Sequence, residues 1–418
     1  MKKALLAGGA AVVALAGVIA AVVVSSSGGS VGPPAVTPVS ALVPTTTATL
    51  PPPPSPGSPR RGSFLVGVVD DSLSQQDPGS AQLLVDISHQ AGFDAVTVSA
   101  LWEHGRKTPR GDALRALRNV ATAAKRDRMK LFLVIGHGLA ATTPKGSGDR
   151  AAFASFAATL VRDVPGVAGV VVDNEPNLPF FWQPQFDSAG RDVAAAGYED
   201  LLARTYDALK KAAPRVEVIG GGLAPRGTDD AHRLGTHSPT AFIHDLGEVY
   251  RSSGRGAPLV DAFAIHPYPR PEEPPTLVHP KETQITLADY PKLVTLLDEA
   301  FRGSHQRGRT LPIYYTEFGI QTAIPRSKRS LYTTGTTPKD DLGVSAATQA
   351  AYYREALALA YCQPTVKGLF VFHTFDEPNL NGWQSGLYYV DRTPKPSLVG
   401  FRKAVRALRR GYLTTCRG

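Results

Sequence analysis

Eight short apolar runs recur along the chain: Phe64–Val69, Ala95–Ser99, Leu131–Ile135, Val167–Val172, Val216–Ile219, Ala262–Ile265, Ile313–Thr316 and Leu369–Phe372. They are continuous rather than alternating, and rich in Val, Ile and aromatic residues. That is the pattern of strands buried on both faces, as in a parallel sheet. Stretches with helical spacing lie between them. Ala113–Lys125 puts Leu114, Leu117, Val120, Ala121 and Ala124 on one face. Ala152–Val161, Tyr198–Ala212, Thr240–Tyr250, Leu287–Phe301, Ala346–Tyr361 and Ser397–Leu408 follow the same rule. Pro165-Gly166 and Pro214 punctuate joins. Eight strands alternating with helices predict an α/β fold, a single (β/α)8 TIM barrel over residues 62–418. The alternative, a doubly wound open sheet, calls for a glycine-rich phosphate turn after the first strand, where this chain has Asp70-Asp71-Ser72. No internal repeat interrupts the series.

Two segments precede the barrel. Lys2 and Lys3 flank an apolar stretch from Ala4 to Val24, so residues 1–24 read as a signal peptide or an N-terminal membrane anchor. Roughly 20 apolar residues is just enough to span a bilayer. Cleaved or retained, the segment predicts an extracytoplasmic body, secreted or anchored to the membrane, because the positive flank stays inside. Residues 25–61 are rich in Ser, Thr and Pro, including Pro51–Pro54, and predict a disordered, extended spacer.

Composition changes the picture little. The chain has 418 residues, 43% hydrophobic and 19% charged, ample for one large core. The formal charge of +9 comes from scattered residues such as Arg106, Lys107, Arg110, Arg115 and Arg118. Without an aromatic-basic stripe this is a solvated surface, and no nucleic-acid partner is expected.

The polar groups collect where the apolar runs end, which in a barrel is the face that carries chemistry. The fourth run leads into Asp173-Asn174-Glu175-Pro176-Asn177 and the seventh into Glu317-Phe318-Gly319. His137, His266, Tyr268 and His373 follow the third, sixth and eighth runs, and Trp102, Trp182 and Trp383 are all the tryptophans in the chain. Two glutamates at strand ends, facing across a barrel mouth, are what glycoside hydrolysis needs. Glu317 suits the ionised nucleophile, stabilised by a hydrogen bond from Tyr268 or His266. Glu175 suits the proton donor, and Asn174 a contact to a sugar hydroxyl beside the scissile bond. His137 and His373 are further candidates at the mouth, and the three tryptophans are candidate platforms for sugar rings.

Asn174-Glu175-Pro176 and Tyr315-Thr316-Glu317-Phe318-Gly319 resemble the acid/base and nucleophile motifs of the clan A glycoside hydrolases, which include family 5 cellulases and family 39 xylosidases. Ile265-His266-Pro267-Tyr268 is similar to that clan's strand-six segment. Gly382-Trp383-Gln384-Ser385-Gly386-Leu387, with Pro394-Lys395-Pro396, resembles its strand-eight loop and last helix. The resemblance covers about Gly62 to Leu408. It implies a retaining enzyme acting on β-glycosidic bonds of a poly- or oligosaccharide, with no cofactor and no bound metal, working as a monomer. There are departures. Phe372 stands where the clan usually carries a Trp, and Ala95–Trp102 lacks the Arg that many members use to brace the nucleophile.

Two other readings stay open on the residues alone. His137, His266, His373 and Glu317 are metal-ligand types, although there is no paired-histidine motif. A non-catalytic, glycan-binding barrel would keep the aromatic mouth without needing both glutamates. Finally, Cys362 and Cys416 are the chain's two cysteines. They fall near the end of the seventh helix and in the tail beyond the eighth, neighbours in a barrel, so they are expected to pair outside the cytoplasm.

Overall fold

The computed structural model describes residues 64–232, 235–271, 273–333, 343–412 and 416. The segments expected at residues 1–24 and 25–61 lie outside the described residues. No helix among the described residues is long and apolar enough to cross a membrane.

The body is a closed barrel of eight parallel strands in chain order, β1-β2-β3-β4-β5-β6-β7-β8. The strands are β1 Leu65–Val69, β2 Ala95–Leu101, β3 Lys130–Gly136, β4 Val167–Val172, β5 Glu217–Leu223, β6 Ala262–Ile265, β7 Ile313–Phe318 and β8 Val366–Phe372. The helices are α1 Pro78–Ala91, α2 Gly111–Arg126, α3 Ser147–Asp163, α4 Ala194–Ala212, α5 Pro239–Ser252, α6 Tyr290–Phe301, α7 Ala346–Tyr361 and α8 Ser397–Arg409. The α1 helix went unrecognised in the sequence, although its signals are present. The Asp77 side chain accepts from Ser80 N at 2.7 Å, Pro78 opens the first turn, and Gly92 closes the helix at φ 117°.

Two apolar layers follow from strands buried on both faces. The outer one packs the strands against the ring of helices and contains Phe153, Phe156, Tyr198, Phe242, Tyr353 and Phe401. The inner one fills the barrel with Leu65, Phe132, Val171, Ile219, Tyr314 and Phe370. A barrel of this width holds layers of side chains, not a pore. Large rings fit because small residues face them. A Cβ on Gly169 would lie 2.7 Å from the Phe132 ring.

The seam between β1 and β8 joins residues far apart in sequence. Five positions pair across it, from Leu65 with Gly368 to Val69 with Phe372. Buried Asp70 pins its upper end, accepting from Thr374 N at 2.9 Å and Phe375 N at 3.2 Å. Cys362, just after α7, is bonded to Cys416 in the tail, with Cα atoms 5.3 Å apart.

Candidate active site

The β4 strand stops because the backbone turns sharply at its end. Asp173 has φ 66° and Glu175 has φ 42°, conformations that non-glycine residues adopt rarely and that cluster at working sites. The neighbours hold this turn. Asp173 N donates to Ile135 O at 2.8 Å and Glu175 N to Gly222 O at 3.0 Å. The Asn177 side chain is fully buried and bonds Ala224 and His237 backbone groups, so the second asparagine of the motif anchors the loop. The turn aims Glu175 inward, where it is almost fully buried, while Asn174 lines the cleft.

Glu317 lies near the end of β7 and looks at Glu175 across the mouth. His266, directly after β6, sits between them. Its Nδ1 is 3.0 Å from Glu175 Oε1 and 3.5 Å from Glu317 Oε2. One ligand-type atom from each of the three residues falls within 4.8 Å of the others. The Tyr268 hydroxyl donates to Glu317 Oε2 at 2.9 Å. The Tyr268 ring is wedged against Trp383, 5.0 Å away, and Phe372, 6.4 Å away.

The expectation of a stabilised Glu317 carboxylate holds only in part. Burial disfavours its charge most strongly and the Glu175 charge adds to that. His266 and the Tyr268 hydroxyl pull the other way without winning, and the carboxyl is pushed up to about 7. Burial also opposes a charge on His266, but the two carboxylates outweigh it and raise its pKa. Glu317 and His266 are thus coupled, each favouring the charged form of the other. Their donor set also suits a divalent cation.

The pair opens into a cleft of about 1030 Å³, at the upper end for small-molecule sites. Asn174, Phe181, His373 and Trp383 line it with the two glutamates. His373 follows β8 through a cis peptide after Phe372. Three expected contacts lie elsewhere. Trp102 is 1% exposed, packs on Phe153 and spends its ring N–H on Arg106 O. Trp182 is 2% exposed, between His137 and Tyr198. Both tryptophans are loop packing, not platforms, because strand-end loops fold over them. His137 is buried with its Nε2 3.0 Å from Asp173 Oδ2, and Asp173 raises its pKa against the effect of burial. It supports the β4 turn from beneath.

No family model and no curated protein matches the chain. Solved structures do. A β-glycosidase named BGL167 superposes with a TM-score of 0.53 at 17% identity, covering 85% of this chain and 98% of its own. GH5_18 from Streptomyces cattleya, in complex with GlcNAc, gives 0.53 at 18%, with 83% and 80% covered. A β-glucosidase designated 1317 gives 0.55 at 16%, with 82% and 98% covered. The fold is that of the glycosidase barrels. At these identities the likeness speaks for the architecture, and the chemistry has to be argued from the side chains.

Proposed function

We propose that this chain is an extracytoplasmic, retaining glycoside hydrolase that cleaves β-glycosidic bonds in a poly- or oligosaccharide. The observation that carries the reading is the close pair of glutamates. Atoms of Glu175, His266 and Glu317 lie within 4.8 Å of one another. A retaining site keeps its carboxyl groups about 5 to 5.5 Å apart, whereas an inverting site needs about 6.5 to 9.5 Å to admit a water between sugar and base.

Glu317 is the nucleophile in this reading, because the Tyr268 hydroxyl fixes one of its oxygens and leaves the other for the anomeric carbon. Glu175 gives its proton to the departing oxygen, and Glu317 becomes esterified to the sugar. Glu175, now ionised, takes a proton from the water that hydrolyses the ester, and the free carboxylate returns. His266 touches both groups and positions them. Asn174 faces the cleft beside the acid, where a contact to a sugar hydroxyl strengthens as the transition state forms.

The test is turnover of a panel of aryl β-glycosides and β-glycans by the full chain. Glu317→Gln should abolish it while leaving oligosaccharide binding, since the change is nearly isosteric. A fluorosugar inactivator should esterify Glu317. An inverted first product seen by proton NMR, or a label on Asp376 or Glu377, would overturn the mechanism. The donor set of Glu175, His266 and Glu317 supports one other reading, a metal-dependent hydrolase. Turnover that survives a chelator favours the two-carboxylate mechanism; turnover that is lost and restored by a divalent ion replaces it. Sugar binding without turnover would leave a glycan-binding barrel.

The location rests on Lys2, Lys3 and the apolar stretch from Ala4 to Val24. Protease added to intact cells should release the body by cutting within residues 25–61. A body protected until lysis refutes it.

A further inference from the structure

The cleft continues past the glutamate pair to the seam of β1 and β8, and its character changes there. Eight carboxylate residues line it, and among the described residues the one Lys or Arg in its lining is Arg115, whose Nε donates to Gln76 Oε1 at 2.9 Å. A chain with a formal charge of +9 thus has an acidic cleft.

Two side chains at the seam are held facing the cleft with bonding capacity to spare. The His373 side chain is 10% exposed, its ring stacked on Phe372 with centroids 3.6 Å apart, and it makes no hydrogen bond among the described residues. Glu377 is 12% exposed, with Oε1 3.9 Å from His373 Nδ1. The Trp383 backbone N–H holds the carboxylate, yet Oε1 is buried with no hydrogen-bond partner. The loop is shaped around this group, for a Cβ on Gly382 would lie 1.8 Å from Glu377 Oε2. The nearby buried cation is committed elsewhere, since Lys395 Nζ donates to Asp376 at 2.7 Å, Thr322 at 2.7 Å and Gln384 O at 2.9 Å. Burial, with the charges of Asp70, Asp376 and Asp71, pushes the Glu377 carboxyl up to about 7. Burial pushes His373 down to about 4, so its ring is neutral and does not serve as the counter-charge.

An unpaired, half-satisfied carboxylate in a cleft calls for a partner that brings both donors and positive charge. Uronic acids and sulfated sugars bring the wrong sign. Neutral hydroxyls bring donors without charge. A metal ion is a poor fit, because among the described residues the donor atoms of Asp71, His373 and Glu377 do not converge to within 4.8 Å of one another. A primary ammonium supplies three donors and one charge. Trp383, partly exposed and packed on Tyr268, lines the cleft there and accepts a backbone hydrogen bond from Glu377, so it is the aromatic group at hand for the ring that carries the amine.

We propose that the β1–β8 end of the cleft is a sugar subsite, built on Glu377, His373 and Trp383, that selects a hexosamine unit with a free amine. The inference rests on the glycosidase reading and names its substrate class, a glycan of de-N-acetylated amino sugars.

The experiment compares oligosaccharides of equal length by calorimetry on the inactive Glu317→Gln full chain and by turnover on the parent. The glucosamine tetramer should bind about tenfold to hundredfold tighter than the glucose tetramer, the span of a charge-assisted hydrogen bond. N-acetylation of the same tetramer should remove the advantage, and a tetrauronide should not bind. Added salt should shrink the amine's advantage and leave the glucose tetramer's affinity unchanged. Adding Glu377→Gln should cut the ratio about tenfold. If that variant fails to melt cooperatively, the N-acetylation and salt comparisons decide alone. Neutral oligosaccharides hydrolysed with no preference for the amine would overturn this proposal and leave the glycosidase standing. No turnover of any glycan, with the glucosamine tetramer still bound selectively, would overturn the glycosidase and keep the subsite.

Discussion

Replacing Tyr268 by Phe removes one hydroxyl and tests the assignment of Glu317. The ring should stay, held by Trp383 and Phe372, so the loss is confined to the hydrogen bond on Glu317 Oε2. A hydrogen bond to a charged group is worth about 1.5 to 3 kcal/mol. At about 1.4 kcal/mol for each unit of pKa, losing it raises the carboxyl by about one to two units. Glu317 starts at about 7. A nucleophile must be ionised, and a carboxyl with a raised pKa loses its charge as pH falls through that value. The parent should therefore lose activity on the acid side with a midpoint near 7, and the variant with a midpoint about one to two units higher. At pH 7 the ionised fraction falls by about fivefold to fiftyfold, and alkaline pH should restore much of the rate. The assay is kcat/KM on an activated aryl β-glycoside across the pH range, with thermal melts to confirm folding. A uniform loss at every pH, or an acid limb that stays in place, would refute the reasoning.

Glu175→Ala should slow substrates with poor leaving groups most, because only they need a proton in the first step, and equal slowing across an aryl series would count against it. Labelling the unreduced, denatured chain should find no free thiol, since Cys362 and Cys416 are joined. Replacing both by Ser should lower stability by up to about 4 kcal/mol in the chain-entropy model, read as a shifted denaturation midpoint. Gly169→Ala drives a methyl into the Phe132 ring and should cost about 1 to 3 kcal/mol. An unshifted midpoint would mean that the inner layer is loosely packed.

The barrel was legible because its strands are buried on both faces. Val167–Val172 and Ile313–Thr316 read as unbroken apolar runs, and the polar residues after them had to lie at one mouth. Helix α1 was harder to see. Its buried positions Ala81, Leu84, Val85, Ser88 and Ala91 include two alanines and a serine, which blur the period and hide the Asp77-Pro78 start. Strand ends also fail to say whether a side chain faces the cleft or its packing. Trp102 and Trp182 both follow strand-end segments, yet only a view of the folded loops separates them from Trp383. Glu377 and Asp71 could be located at the mouth from sequence. That Glu377 is left with a buried, unbonded oxygen beside His373 depends on Gly382, Trp383 and Lys395, a three-dimensional arrangement no local pattern carries. The pairing of His137 with Asp173 is of the same kind.

The β1–β8 seam has a further consequence, for the order of assembly. Asp70 waits for the amide of Thr374, 304 residues later. At a synthesis rate of about 5 to 20 residues per second, that interval is roughly 15 to 60 s. Throughout it β1 has one neighbour and a bare edge, and whichever strand was made last has another. Unpaired edges recruit other chains. Barrel closure thus has to wait for the last strand, and a chain cut short before Val366 retains both edges. Such a fragment should be found with chaperones or in aggregates rather than as a soluble partial barrel.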